Sequence, residues 1–461
     1  MRKFYTAEDV ENAASRGENV IYIKEADVVT SVAKEVAERK NISFEKDANN
    51  TTNTSVESSN LNNTVNRVET ATSRPTPVNG KLTDSVIESW REEFPILEDI
   101  IHVANCSQSA QAKRVRAAIN KYMDNWLTVG MDWDSWIAEV YKAKAEFAKL
   151  INANPDEIAI STSVSEATSS IASSLKYDEP RNKVVTTEAE FPTVAQVWLA
   201  HQKYGAKVDF VPLDGNGQID IKEYERYIDD NTLITSITHV YYQNGFKQDI
   251  SKIADIAHNN GSIILVDAYQ SLGTTPLDVK EMNIDILTTG NLKYLFGIPG
   301  IAFIYVNKDL VPELKPALTG WFGQEDPFAF NIRYLDYASD ARRFETGTPP
   351  VLNSYAAKAG MEIINEVGVP AISKRIDELS EYTINGALQR GLKVTSPRDV
   401  SKKGSTTSID VPMDSHDLEN ELKNRNIIAS ARGEVIRIAP HFYTRFKDID
   451  FVLDNIQEII K

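Results

Sequence analysis

The sequence predicts an α/β fold: a mainly parallel sheet covered by helices, with a smaller α+β domain formed by the C-terminal part of the chain. Two observations predict it. Short β-prone runs alternate with helix-length segments from Glu157 to Val306, and beyond Gly347 the pattern turns helical before ending in a few short strands. Strands separated by helices argue for parallel neighbours, because each crossover returns the chain to the same end of the sheet. At 461 residues the chain is also too long for one core, so several domains are expected.

Residues 1–46 read as a small helix–strand–helix accessory module. Thr6-Ala7-Glu8-Asp9 has the form of a helix start of capping-box type, and Gly17 supplies the stop. Val20-Ile21-Tyr22-Ile23 is β-prone, and Val29, Val32, Ala33, Val36 and Ala37 then recur at helical spacing. A unit this small buries little and is expected to pack on something. Residues 47–83 are rich in Asn, Thr and Ser, from Asn49-Asn50-Thr51-Thr52 to Arg74-Pro75-Thr76-Pro77. Such a stretch cannot bury enough surface to offset its ordering entropy, and it reads as a disordered linker.

Residues 84–345 hold the predicted strands: Glu157 to Ser161, Lys183 to Thr187, Val208 to Pro212, Leu233 to Val240, Ile263 to Asp267, Ile284 to Thr288 and Ala302 to Val306. Ser251 to Asn259 is one of the helices between them. Residues 346–461 form the smaller domain, with helices over Val351 to Val367 and Ala371 to Gly391; residues 84–110 are a candidate addition to it.

Composition excludes several functions. A net charge of −16, from 50 basic and 66 acidic residues, opposes nucleic-acid binding, which needs clustered positive charge. No apolar run approaches the roughly 18 residues of a membrane span. The charged N-terminus lacks the apolar centre of a secretion signal. Cys106 is the only cysteine, so no intrachain disulfide or cysteine metal cluster can form, and a cytoplasmic setting is the default. The six histidines show no metal-ligand spacing, so no metal is expected.

The chemistry gathers around Lys293. The run Ile263-Ile264-Leu265-Val266 ends in Asp267, Gln270 follows, and Lys293 stands beyond a second apolar run. Pyridoxal phosphate needs a lysine for a Schiff base and a carboxylate for its pyridine nitrogen, and this segment can supply both. By itself Lys293 would read as a surface lysine and Asp267 as a helix cap. Ser161-Thr162-Ser163-Val164-Ser165 leads from a strand into a helix, where backbone N–H groups and hydroxyls suit either a phosphate or an ordinary cap. Phe191, fixed by Pro192, could stack on a planar ring or pack in the core. Arg437, between Ile436 and Ile438, needs an anionic partner if its strand is half-buried, and a substrate carboxylate would fit.

In order along the chain, these segments resemble the class V aminotransferase family of fold-type-I pyridoxal-phosphate enzymes, in particular its kynureninase-like, isopenicillin-N-epimerase-like and cysteine-desulfurase-like branches. The resemblance spans roughly residues 84–461 and adds Gly320-Trp321-Phe322-Gly323, Phe344-Glu345-Thr346-Gly347-Thr348-Pro349 and Arg437-Ile438-Ala439-Pro440-His441. It implies a seven-stranded, mainly parallel sheet and a Lys293 aldimine, with Lys293 shuttling the substrate α-proton. Asp267 would pair with the ring nitrogen, Gln270 with the phenolic oxygen, and Phe191 would stack on the ring. Val164 and Ser165 would hold the phosphate, with Thr289 and Asn291 at further phosphate positions, although Asn291 departs from the usual His, Ser or Tyr. Trp321 and Thr348 match positions that reach the phosphate from a partner subunit, which implies a homodimer with shared active sites. Arg437 matches the binder of the substrate α-carboxylate.

The resemblance does not choose the reaction. An aminotransferase acting on an α-amino acid is expected. A lyase cleaving a carbon–sulfur or β-carbon bond is the alternative, and a targeted, inactive protein is a second. Cysteine desulfurases of the family carry a nucleophilic cysteine shortly before the carboxylate-binding arginine; residues 426–433 have none. Cys106 falls instead on the segment that lines the cleft, as a small half-buried residue or a sulfur acceptor. Trp126, Trp133 and Trp136 could form an aromatic lid or simply pack. Arg445 stands where the family's usual Asn-Thr pair ends. The N-terminal module resembles short segments appended to some ethanolamine-utilisation proteins, which would suit docking to a partner.

Overall fold

The computed structural model describes residues 4–5, 7–24, 27–29, 31–46, 75–77 and 80–461. Thr6 and most of the predicted linker, 47–74, lie outside the described residues. The chain divides into two units: Met1–Arg74 with Thr128–Ala138, and Pro75–Leu127 with Glu139–Lys461.

The first unit contains β1 (Phe4–Tyr5), α1 (Ala7–Ser15), β2 (Val20–Ile23), β3 (Val28–Val29), α2 (Ser31–Lys40) and β4 (Ser43–Lys46). β1 pairs in parallel with β3, and β2 with β4. Val10, Ala13, Ala33, Val36, Ala37 and Ile42 fill the space between the elements. The sequence reading finds both helices and β2 but misses three strands. Two of these are only two residues long, and β4 is Ser-Phe-Glu-Lys. Only pairing distinguishes such runs from loops.

The second unit opens with α3 (Asp84–Arg91), β5 (Ile101–His102), α4 (Lys113–Val129) and α5 (Trp133–Leu150), the last two of which run into the first unit's 128–138 segment. There follow β6 (Ile158–Ser161), α6 (Val164–Ala172), β7 (Lys183–Thr187), α7 (Pro192–Ala200), β8 (Lys207–Val211), α8 (Ile221–Tyr227), β9 (Thr232–Thr238), α9 (Ile250–Asn259), β10 (Ile263–Asp267), β11 (Ile286–Gly290) and β12 (Ala302–Val306). The seven strands join in the order β6-β12-β11-β10-β9-β7-β8. Only β12 runs against its neighbours, so β6, β7, β9, β10 and β11 all end at one edge. All seven predicted runs are strands. β11 starts two residues later than read; the Asp285 carboxylate just before it accepts the Ile264 N–H at 2.8 Å and contacts His258.

The C-terminal part contains α10 (Val351–Val367), α11 (Val369–Gln389), β13 (Lys393–Val394), β14 (Thr407–Asp410), α12 (Ser415–Asn424), β15 (Ile427–Ile428), β16 (Ser430–Arg432), β17 (Val435–Ile438) and α13 (Phe446–Ile460). Its sheet runs β13-β14-β17-β16, antiparallel throughout. The segment after α3 joins this part: β5 pairs with β15, Tyr443 donates to Asn105 at 2.7 Å, and Arg91 donates to the Tyr443 carbonyl at 2.9 Å. Among the described residues no helix is long and apolar enough to cross a membrane.

α10 props the lysine segment from behind. A Cβ at Gly360 would lie 2.3 Å from the Leu295 carbonyl oxygen. Phe296, one residue further, holds a left-handed backbone (φ 58°) with its ring packed against Phe94 and His441. Gly360→Ala should therefore destabilise the protein by about 1–3 kcal/mol in urea unfolding, since a clash with backbone outweighs the helix propensity gained.

Candidate active site

A cavity of about 400 Å³ opens at the carboxyl edge of the sheet, the usual place for a ligand in such folds. Lys293, Asp267, Gln270, Phe191, Val164, Ser165 and Arg437 all line it. The structure thus brings together seven residues that the sequence scatters over 274 positions, from Val164 to Arg437.

Lys293 projects its amine over the Tyr269 ring, 4.0 Å from the centroid, with the Phe191 centroid 5.9 Å away. Tyr269 can occupy that place because position 290 is glycine; a Cβ there would lie 2.1 Å from the ring. Burial lowers the Lys293 pKa to about 8, a fall that the Asp267 charge opposes. A substantial fraction of the amine is then neutral, hence nucleophilic, near physiological pH.

Asp267 ends β10 and is buried, with one carboxylate oxygen accepting the Tyr269 N–H at 2.8 Å. Burial raises its pKa to about 6, and this hydrogen bond and Lys293 hold it from rising further. Glu190 lies behind it. Its Oε1 accepts the Thr238 N–H at 2.7 Å and the Thr187 hydroxyl at 3.0 Å, while Oε2 is buried without a partner. Burial first, then the Asp267 charge, push the Glu190 pKa well above the carboxylate range. Of the two buried acids, Asp267 is the one that ionises more readily, while burial and the Asp267 charge both disfavour the charged form of Glu190.

Two helix N-termini meet on the opposite wall. α6 is capped by Ser163, whose hydroxyl accepts the Glu166 N–H at 3.1 Å, and Thr162 donates to the Glu166 carboxylate. α7 starts at Pro192, with Phe191 as its cap residue. The Ser165 and Thr193 hydroxyls, one from each first turn, lie 3.1 Å apart. Helix N-termini present unsatisfied N–H groups and a positive dipole end, which together suit a phosphate. Phe191 is 44% exposed beside this wall, an open aromatic face set edge-on to Tyr242.

Arg437 is 1% exposed and has no acidic partner among the described residues. It donates to the Tyr242 carbonyl at 2.8 Å and to the Ser107 and Ser430 hydroxyls at 3.1 and 2.6 Å. Gln270 donates to the Cys106 carbonyl at 3.1 Å, and its own carbonyl oxygen is buried without a partner. Cys106 is buried more completely than the sequence suggests, and it lines the cavity.

The remaining predicted residues do not line it. Thr289 is buried in β11 and donates to the Gly290 carbonyl at 3.0 Å. Asn291 is fully buried with both side-chain polar atoms unpartnered, against Gly297. Trp321 stacks near Phe330 in an aromatic group with Phe322 and Phe328, and Thr348 is exposed. Trp126 is 56% exposed, and Trp133 packs edge-on against Trp136. Arg445 is tied to Asp448 as the cap of α13. Sequence reasoning missed Thr193, Tyr269, Tyr242 and Arg432 on the cavity wall. Thr193 carries the same signal as Ser165, a hydroxyl in a first helical turn; Arg432 becomes visible only with the β16–β17 register.

Residues 105–444 match the family model for aminotransferase class-V. The chain belongs to the class-V aminotransferase family. The uncharacterised aminotransferase YcbU of Bacillus subtilis (strain 168) is 40% identical over 369 residues, covering 80% of this chain and 97% of that protein. A probable cysteine desulfurase of Pyrococcus abyssi (strain GE5 / Orsay) is 26% identical over 396 residues, covering 81% and 98%. Among solved structures, the apo cysteine desulfurase of Thermococcus onnurineus NA1 superposes with a TM-score of 0.74 at 24% identity, covering 81% of this chain and 98% of that one, which shows the shared fold.

As a member of the class-V aminotransferase family the chain is a pyridoxal-phosphate enzyme acting on an amino acid, and the cavity fits that cofactor. A lysine amine and a Gln270 oxygen without partners among the described residues, a buried carboxylate, an open aromatic face and two helix N-termini are the groups such a molecule requires.

Proposed function

We propose that this class-V aminotransferase exchanges an amino group between an α-amino acid and a 2-oxo acid, with Lys293 as the covalent anchor of the cofactor and the carrier of the α-proton. The observation that supports it best is Arg437, a buried guanidinium with no acid beside it among the described residues, in the same cavity as Lys293. A buried cation needs an anion, and a substrate carboxylate is one that arrives with the amino group. Bound pyridoxal phosphate supplies the electron sink. Around it, Asp267 would hold the ring nitrogen protonated, Phe191 would cover one ring face, and Val164, Ser165 and Thr193 would seat the phosphate. Gln270 would turn toward the phenolic oxygen.

Trp321 and Thr348 are proposed to serve the neighbouring active site of a homodimer. Neither is among the described residues lining this chain's own cavity, which supports that, as does the exposed apolar run Phe330, Ile332, Tyr334 and Leu335 beside Trp321. A cytoplasmic setting is proposed from Cys106, a free thiol. The N-terminal module, with a core of its own, is proposed as a docking unit.

A spectral screen tests the reaction. With an amino acid alone, a transaminase should convert its visible cofactor band to the pyridoxamine form, and a 2-oxo acid should restore it. Release of sulfide or pyruvate without an acceptor would replace this reading by the lyase, which Cys106 on the cavity wall makes the second choice. A colourless protein that borohydride leaves unlabelled would point to an inactive one.

A further inference from the structure

Arg432 shares the cavity wall with Arg437. In the β16–β17 hairpin Ser430 stands opposite Arg437 and Arg432 opposite Val435. Residues two apart in a strand share a face, so Arg432 is the same-face diagonal neighbour of Arg437, at a spacing of about 7–8 Å. The two guanidinium groups differ in how they are held. Arg437 is buried and fastened by Tyr242, Ser107 and Ser430. Arg432 is exposed at the mouth, without a hydrogen bond or ion pair to any described residue.

An unpaired arginine on a surface is ordinary. This one stands over a cavity whose other charged residues are Lys293, Arg437 and Asp267, and Asp267 is the only acid among the described lining residues. The wall proposed to seat the phosphate uses N–H and hydroxyl groups, so it does not call on Arg432. A monocarboxylic amino acid would satisfy Arg437 and leave Arg432 facing solvent.

We propose that the preferred substrate is an amino acid with a second carboxylate on its side chain, held by Arg432 while Arg437 holds the α-carboxylate. The proposal rests on the reading above in one respect, that Arg437 binds the α-carboxylate. Carboxylate is the partner that a planar guanidinium grips through two parallel hydrogen bonds. The diagonal spacing matches two acids separated by a short carbon chain. Arg432 is then a specificity-determining residue, distinct from the groups that move protons.

The test uses the pyridoxal-phosphate-loaded enzyme. L-aspartate and L-glutamate are titrated against their neutral isosteres L-asparagine and L-glutamine, reading the change in the cofactor band. The acids should half-saturate at concentrations at least about tenfold lower than the amides, the preference expected of a charge-assisted bidentate contact. Arg432→Gln should bring that ratio to within about threefold of one, while Arg437→Gln weakens all four. In parallel, calorimetry of succinate against butyrate reads the two-arginine site without any covalent step; succinate should bind more tightly and lose that advantage in Arg432→Gln.

Amides that match the acids would overturn the proposal. So would an Arg432→Gln variant that weakens acids and amides by one factor, since Arg432 would then serve the α-carboxylate. If no amino acid moves the band, the reading as an active transaminase fails, and the succinate comparison still decides the role of Arg432. Retention of the bound-cofactor absorbance shows that a variant is folded.

Discussion

Lys293→Ala is expected to lose covalent attachment of the cofactor and to lower turnover by about 10²- to 10⁴-fold, the usual contribution of a positioned acid–base group. Borohydride followed by mass spectrometry of the peptide containing position 293 would check the first part, and steady-state kinetics the second. Attachment elsewhere on the chain would refute the assignment. The amine must be neutral to attack an aldehyde, and burial places its pKa at about 8. The rate at which apoenzyme captures the cofactor should therefore rise with pH, by about tenfold per unit below 8, and level off above it. The sign follows from burial, which disfavours the ammonium form.

Asp267→Asn should lower turnover by about 10²- to 10³-fold, the typical effect of removing one preorganised electrostatic partner from a closed site. Two further signs can be read in the same variant. Loss of the Asp267 charge removes a term that raises the Lys293 pKa, so the midpoint of cofactor capture should move below 8. In the wild type, Asp267 with its pKa of about 6 is ionised at neutral pH. A cationic ring beside it would lower that value, so the acid limb of the loaded enzyme should lie below pH 6. An Asp267→Asn variant with normal turnover and an unmoved capture midpoint would separate Asp267 from the cofactor. Glu190 gives the contrast: burial and the Asp267 charge disfavour its ionised form, so Glu190→Gln should preserve the pH profile that Asp267→Asn changes.

Several site residues were legible because each sits at a punctuation mark of the chain. Asp267 ends an apolar strand, Ser165 opens a helix after another, and Phe191 precedes a proline. Their positions follow from local rules: strand runs buried on both faces read as continuous apolar stretches, and hydroxyls gather where helix N–H groups lack partners. Local rules do not tell which strand ends lie together. Tyr269 carries no signal of its own and Thr193 only that of any hydroxyl in a first helical turn; they matter because Gly290 admits one ring and α6 brings Ser165 to the other hydroxyl.

The sequence by itself determined the alternation of strands and helices, the acid and the lysine of the site, and the order of the segments. The tertiary structure decided which acid ionises more readily, since Glu190 and Asp267 differ in partners and not in type. It also decided that Thr289 and Asn291 stay off the cavity wall and that Arg432 joins it. The reason is that charge state and register depend on neighbours distant in sequence. Burial disfavours the charged form of Glu190, and pairing of β16 with β17 places two arginines on one face.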